Sequence, residues 1–326
     1  MSRMLKGLGV GIFMSIGAVA AVQIEKINFK GWPNSYRMTN GEVELVVTGD
    51  IGPRIIRYGF VGGPNIFKEY AEQIGKTGEK EWQIRGGHRL WVGPEVPPPS
   101  PITYAVDNFP VNIVVKGDTI EATPPLEREA GLQKQIIVKL AASGSAVEVT
   151  HRITNKKTQP MTLAAWALTV MAPGGVGIHG FPPRGTHPEM LAPTNPLVMW
   201  AFTDLSDKRW QFTKKYMMLR QDPEATAPQK LGSFNKDTFG AYYLGSELFI
   251  KRYAADPHKT YPDMGSSFET FTNADMLESE TMGPLTTLAP GATVEHVERW
   301  TLHKNVKIAS FTDAELDHVV LPLVGK

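Results

Sequence analysis

The 326-residue sequence contains no cysteine. That excludes a disulfide framework, a thiolate metal site, a cysteine nucleophile and a lipid-modified cysteine behind an export signal. Charge of one dominant sign is also missing, because 34 Lys and Arg stand against 33 Asp and Glu, a formal net charge of +1. Basic runs stop at two residues, as in Lys156-Lys157, so nucleic acid is not an expected partner. Helical periodicity is scarce, and no repeat, low-complexity tract or linker divides the chain. The one long uncharged run, Gly7 to Val22, falls short of the roughly 18 apolar residues a spanning helix requires.

That run follows Arg3 and Lys6 and contains Ala18-Val19-Ala20, small residues at the spacing a signal peptidase prefers. Residues 1–20 are therefore expected to be a secretory signal peptide. The expected product is residues 21–326 as one domain, periplasmic or secreted, with no membrane attachment after cleavage.

What the remainder offers is short β-type runs punctuated by turns. Val43–Val47, Val111–Val115, Gln133–Leu140, Ala146–Ile153, Thr162–Val170 and Val294–Leu302 read as strands. In Ala146–Ile153 the alternation places Val147, Val149, His151 and Ile153 on one face, so His151 reads as a core residue. The segment Val176–Thr260 looks irregular, and His179, His187 and Lys230 within it read as solvated loop residues. No metal-ligand spacing is present, and neither a metal nor a cofactor is expected. Thr312, three residues before Glu315, is a candidate N-cap for a short C-terminal helix through Val319. The fold class is all-β, a large two-sheet sandwich with that helix appended.

Two stretches carry chemistry. Gly86-Gly87-His88-Arg89-Leu90-Trp91-Val92-Gly93-Pro94-Glu95 sets two glycines before an acid/base group, a cation and a flat aromatic face. A sugar suits that set, since a ring takes its C–H face and charged groups take its hydroxyls; the alternative is a glycine bulge with His88 and Trp91 as packing. Later, Glu278 and Glu280 are two apart and share one face of a strand, where mutual repulsion and burial would raise a carboxyl pKa. The alternative there is a solvated edge.

These motifs, with Asp50-Ile51-Gly52-Pro53-Arg54, Ala164-Ala165-Trp166, Glu278-Ser279-Glu280-Thr281-Met282-Gly283-Pro284-Leu285 and Glu298-Arg299-Trp300, resemble the galactose mutarotase-like (aldose 1-epimerase-like) superfamily over roughly residues 30–303. The resemblance implies a β-supersandwich with a carbohydrate groove. It implies Glu280 as base and His88 as acid, with Arg54, Arg89, Trp91, Trp166 and Glu278 binding a saccharide. One departure stands out: mutarotases carry a second histidine on the strand matching Thr162–Val170, where this chain has Trp166. Two main readings follow, a hexose 1-epimerase and a noncatalytic periplasmic carbohydrate-binding protein; a third is a structural subunit with a vestigial groove.

Overall fold

The computed structural model describes residues 21–98, 100–236 and 238–325; the expected signal peptide lies outside them. In chain order the strands are β1 (Gln23–Phe29), β2 (Trp32–Thr39), β3 (Val43–Thr48), β4 (Arg54–Phe60), β5 (Gly87–Gly93), β6 (Asn112–Lys116) and β7 (Thr119–Thr123). They continue as β8 (Leu132–Leu140), β9 (Val147–Asn155), β10 (Met161–Met171), β11 (Val176–Gly180), β12 (Leu197–Met199), β13 (Trp210–Phe212) and β14 (Tyr216–Arg220). The last are β15 (Gln229–Ser233), β16 (Phe239–Leu244), β17 (Glu247–Tyr253), β18 (Phe268–Thr272), β19 (Leu277–Met282), β20 (Thr286–Leu288) and β21 (Thr293–His303).

Eleven strands form one antiparallel sheet in the order β1-β2-β3-β4-β5-β10-β19-β18-β15-β12, with β20 on β10. Ten form the other, β13-β14-β11-β16-β17-β21-β9-β8-β7-β6. The expected all-β sandwich is thus what forms. The period-2 alternation read in β9 is realised, with alternate residues from Val147 to Asn155 buried, because one face of that strand packs on the opposing sheet. Between the sheets Tyr58, Phe67, Phe249 and Trp300 pack at centroid distances of 5.6–6.1 Å, mostly edge to face, the geometry favoured by aromatic quadrupoles.

Thr312 caps the helix Asp313–Val319 by accepting the Glu315 N–H, as the sequence indicated. The Val176–Thr260 segment departs from expectation. It contains seven strands, β11 to β17. Several are short and buried on both sides, so they show no alternation to read.

The glycine pair is explained by backbone, not by ligand. Gly86 and Gly87 both have positive φ, +77° and +67°. A Cβ on Gly86 would lie 2.0 Å from the Lys68 carbonyl oxygen, and one on Gly87 would lie 2.4 Å from that of Ile55. Only glycine permits this approach at the start of β5.

Candidate functional site on the outer face of the eleven-stranded sheet

Strand register aligns the charged residues. Arg54 on β4 pairs with Arg89 on β5, Arg89 with Leu168 on β10, Leu168 with Glu280 on β19, and Glu280 with Glu269 on β18. Directly paired residues share a face, as do residues two apart. Arg54, Arg89, Trp91, Trp166, Glu278, Glu280 and Glu269 therefore lie on the face turned away from the second sheet. Lys230 of β15 joins them, since it pairs with Phe271, which pairs with Glu278.

The face is tied together by ion pairs. Arg89 Nη2 donates to Glu278 Oε1 at 2.9 Å. Lys230 Nζ lies 2.7 Å from Glu269 Oε2 and 3.1 Å from Glu280 Oε2, and the latter also accepts from Trp166 Nε1 at 2.9 Å. Burial pushes the Glu280 carboxyl above its ordinary range, helped by Glu278 and opposed by Lys230. Glu269 is pushed well above by burial, with Glu280 adding to the shift. Burial would lower the Lys230 ammonium, but Glu269 and Glu280 outweigh it and raise it. Lys230 bridges the two carboxylates and so offsets part of the repulsion between them, to which Asp263 adds at Glu269.

Aromatic rings wall the cluster. The Arg89 guanidinium lies 4.5 Å from the Trp91 ring centroid and 5.5 Å from that of Trp82. Lys230 Nζ sits 4.9 Å from Trp166 and 4.7 Å from Trp200, within cation–π range. Trp91 also meets Trp82, Tyr104 and Trp166 at 5.0–5.6 Å. Trp91 and Trp166 are consequently buried, and their faces are held by the chain's own cations; the half-buried rings at the rim are Trp82, Tyr104 and Trp200. Arg54 is fully buried and spends its guanidinium on the Ile84 and Gly86 carbonyls and on Asp107, 2.7 Å away. It clamps the loops at Ile84–Gly86 and Asp107 beside the site.

His88 is placed elsewhere. As the neighbour of Arg89 on a strand it faces the opposite way, into the sandwich, where its Nε2 lies 2.7 Å from His151 Nε2 and its ring packs on Trp300 at 4.8 Å. It cannot serve as the acid to Glu280, because the sheet lies between them. His88 instead belongs to a buried network. The Lys251 ammonium donates to Thr169 Oγ1, the Ser279 carbonyl and Glu298 Oε1, using all three protons. Thr169 then donates to His88 Nδ1, His88 Nε2–H to His151 Nε2, and His151 Nδ1–H to the His296 carbonyl, the assignment that gives every group a partner. The donor atoms of His88, His151 and Glu298 lie within 4.8 Å of one another. Each already has a protein partner, and the Lys251 ammonium is bound to Glu298, so the cluster is satisfied without a metal ion.

Sequence reasoning missed Lys230 and Glu269. Lys230, expected on a solvated loop, is buried on β15; His179, expected there too, lies buried on β11, stacked on Phe268 at 4.1 Å. His187 is exposed, as expected. A lone Glu in Phe268–Thr272 gives no local signal, since its significance comes from its partner across β19.

No protein-family model matches the sequence, nor does any curated protein. Solved structures do match. The Slr1438 protein from Synechocystis sp. PCC 6803 superposes with a TM-score of 0.56 at 11% identity, over 86% of this chain and 99% of that one. A galactose mutarotase-like protein from Lactobacillus casei gives 0.53 at 10% identity, covering 82% and 100%. The fold is galactose mutarotase-like. A galactose mutarotase related enzyme from Lactobacillus acidophilus shares this mutarotase-like fold at 0.51 and 9% identity, over 83% and 98% of the two chains.

Proposed function

We propose that the protein binds a saccharide on the outer face of the eleven-stranded sheet. One observation carries this reading: aromatic rings and ionised groups converge on a single face, and buried polar atoms there lack partners. Arg89 Nε and Nη1 and Glu280 Oε1 have none among the described residues, although buried polar groups are almost always paired. Sugar hydroxyls donate and accept, so they complement both kinds of atom. Trp82, Tyr104 and Trp200 at the rim offer rings to the C–H face, while Trp91 and Trp166 hold Arg89 and Lys230 in place. The mutarotase-like fold of the solved neighbours agrees with a sugar ligand.

A second reading is favoured by the facing carboxylates. Glu280 as base and Glu269 as proton carrier, directly opposite each other on β19 and β18, would constitute a 1-epimerase in which the acid is not His88. Titration calorimetry on the whole chain, guided by a glycan array, tests the binding reading. Trp82→Ala should weaken a bound saccharide by about 1–3 kcal/mol, the loss of one large apolar contact. Failure of the wild type to bind any glycan overturns it.

A further inference from the structure

Two rim residues of this site, Trp82 and Tyr104, also line a cavity of about 740 Å³, within the size range of small-molecule sites. Its apolar walls are completed by Pro98 and Pro101, and its far side is the corner between β7 and β8 that carries Glu127. Two of its lining residues hold buried polar atoms without partners: Trp82 Nε1, a donor, and Glu127 Oε2, an acceptor. Glu127 Oε1 is taken by Lys134 at 3.0 Å, which fixes the carboxylate in position. A donor and an acceptor on residues that line one aromatic-walled cavity match a hydroxylated ring. The cavity is acidic, with Glu81, Glu127 and Glu129 against Arg128, which disfavours an anionic ligand.

We propose that this cavity is a second sugar subsite, holding the next unit of a neutral oligosaccharide whose terminal unit lies in the rim site. The inference rests on the saccharide reading above. The two sites share Trp82 and Tyr104, whose rings are 6.0 Å apart and nearly perpendicular. A chain crossing that pair places successive rings on the two sides. The ligand class is thus a glycan, not a free monosaccharide.

The test is calorimetry with the whole chain and neutral gluco-, galacto- and manno-oligosaccharides of one to four units, with oligogalacturonate as the acidic counterpart. Disaccharide of the preferred series should bind about tenfold tighter than monosaccharide, which is about 1.4 kcal/mol, and oligogalacturonate should bind more weakly. Val106→Trp, which fills the cavity from an exposed lining position, should erase that gain while leaving monosaccharide affinity and melting temperature unchanged; Glu127→Gln should also erase it with monosaccharide affinity intact, at some cost in melting temperature because Lys134 loses its charged partner. Affinity independent of length, a gain that survives Val106→Trp, or preference for the acidic series overturns the subsite alone. Absence of binding at every length overturns the subsite and the saccharide reading together.

Discussion

His88 and Arg89 are consecutive on β5, yet His88 meets His151 in the dry interior at 2.7 Å while Arg89 meets Glu278 on the outer face at 2.9 Å. The same division recurs on β19, where Ser279 and Thr281 face the interior network and Glu278 and Glu280 face outward. Each outer residue is thus flanked by neighbours anchored from behind. The interior network fixes the strands that carry the site.

The buried histidines of that network, with His179 on β11, make stability depend on pH. Burial lowers the pKa of His88 and His151, of His296 to about 3 and of His179 to about 4. Folded values below the unfolded value of about 6.5 mean that the unfolded chain binds more protons in acid, so this stability is complete above pH 6.5 and is lost as pH falls from there towards the folded values. His296 and His179, with folded values near 3 and 4, each withdraw roughly 2 kcal/mol by pH 5. Glu280 and Glu269, whose pKa values are raised, act in the opposite sense, since protonation favours the folded form. Urea unfolding at pH 7.5 and 5.0 should show a clear net loss in acid, and His296→Gln should reduce it; a wild type equally stable at both would refute the assignment.

The fully buried pair Lys251–Glu298, 2.9 Å apart, should behave asymmetrically. Lys251→Met strands an ionised carboxylate and is expected to cost about 3–5 kcal/mol. Adding Glu298→Leu should recover part of that cost, because no charge is then left stranded, but not all of it, because Trp300 Nε1 and Thr281 Oγ1 lose their acceptor. Denaturation of the single and double variants decides: an additive double variant would show that the two groups are not coupled.

At Gly87, alanine meets both a left-handed backbone and the Ile55 carbonyl, 2.4 Å from the new Cβ. At Gly291 the φ is +79° but nothing lies within 4 Å. Gly291→Ala should therefore cost about 1 kcal/mol, the backbone penalty alone, and Gly87→Ala several times more, enough to displace β5. Comparable melting temperatures for the two would refute the close-approach account.

Local pattern made much of this legible, and its limits are equally local. Alternation in β9 and the cap at Thr312 involve neighbours in sequence, and both were readable. The shared face of Glu278 and Glu280 follows from period 2 alone. Period 2 also separates His88 from Arg89, but it does not say which of them faces the core; that depends on β5 having β21 and β9 behind it, a relation spanning more than 60 residues. Lys230 and Glu269 were invisible for the same reason. Their meaning lies in β15 pairing with β18, and β18 with β19.

Whether the site turns sugars over is decided by the facing carboxylates. Glu280 and Glu269 are cross-strand partners on either side of the Lys230 ammonium, both with pKa values raised by burial. Mutarotation proceeds slowly in water, and general acid and base assistance is typically worth about 10²–10⁴-fold for each group. If these residues catalyse, polarimetry of freshly dissolved anomerically pure hexoses should show faster equilibration with the wild type. Glu280→Gln and Glu269→Gln should each remove most of that acceleration, because the amide keeps the shape but cannot carry the proton. His88→Asn should leave the acceleration per folded molecule intact, since that ring lies behind the sheet, and any loss should appear in stability instead. Loss of catalysis in well-folded His88→Asn would place the acid in the interior network after all. A wild type that binds a reducing sugar while its mutarotation stays at the buffer rate would leave the facing carboxylates a binding role alone.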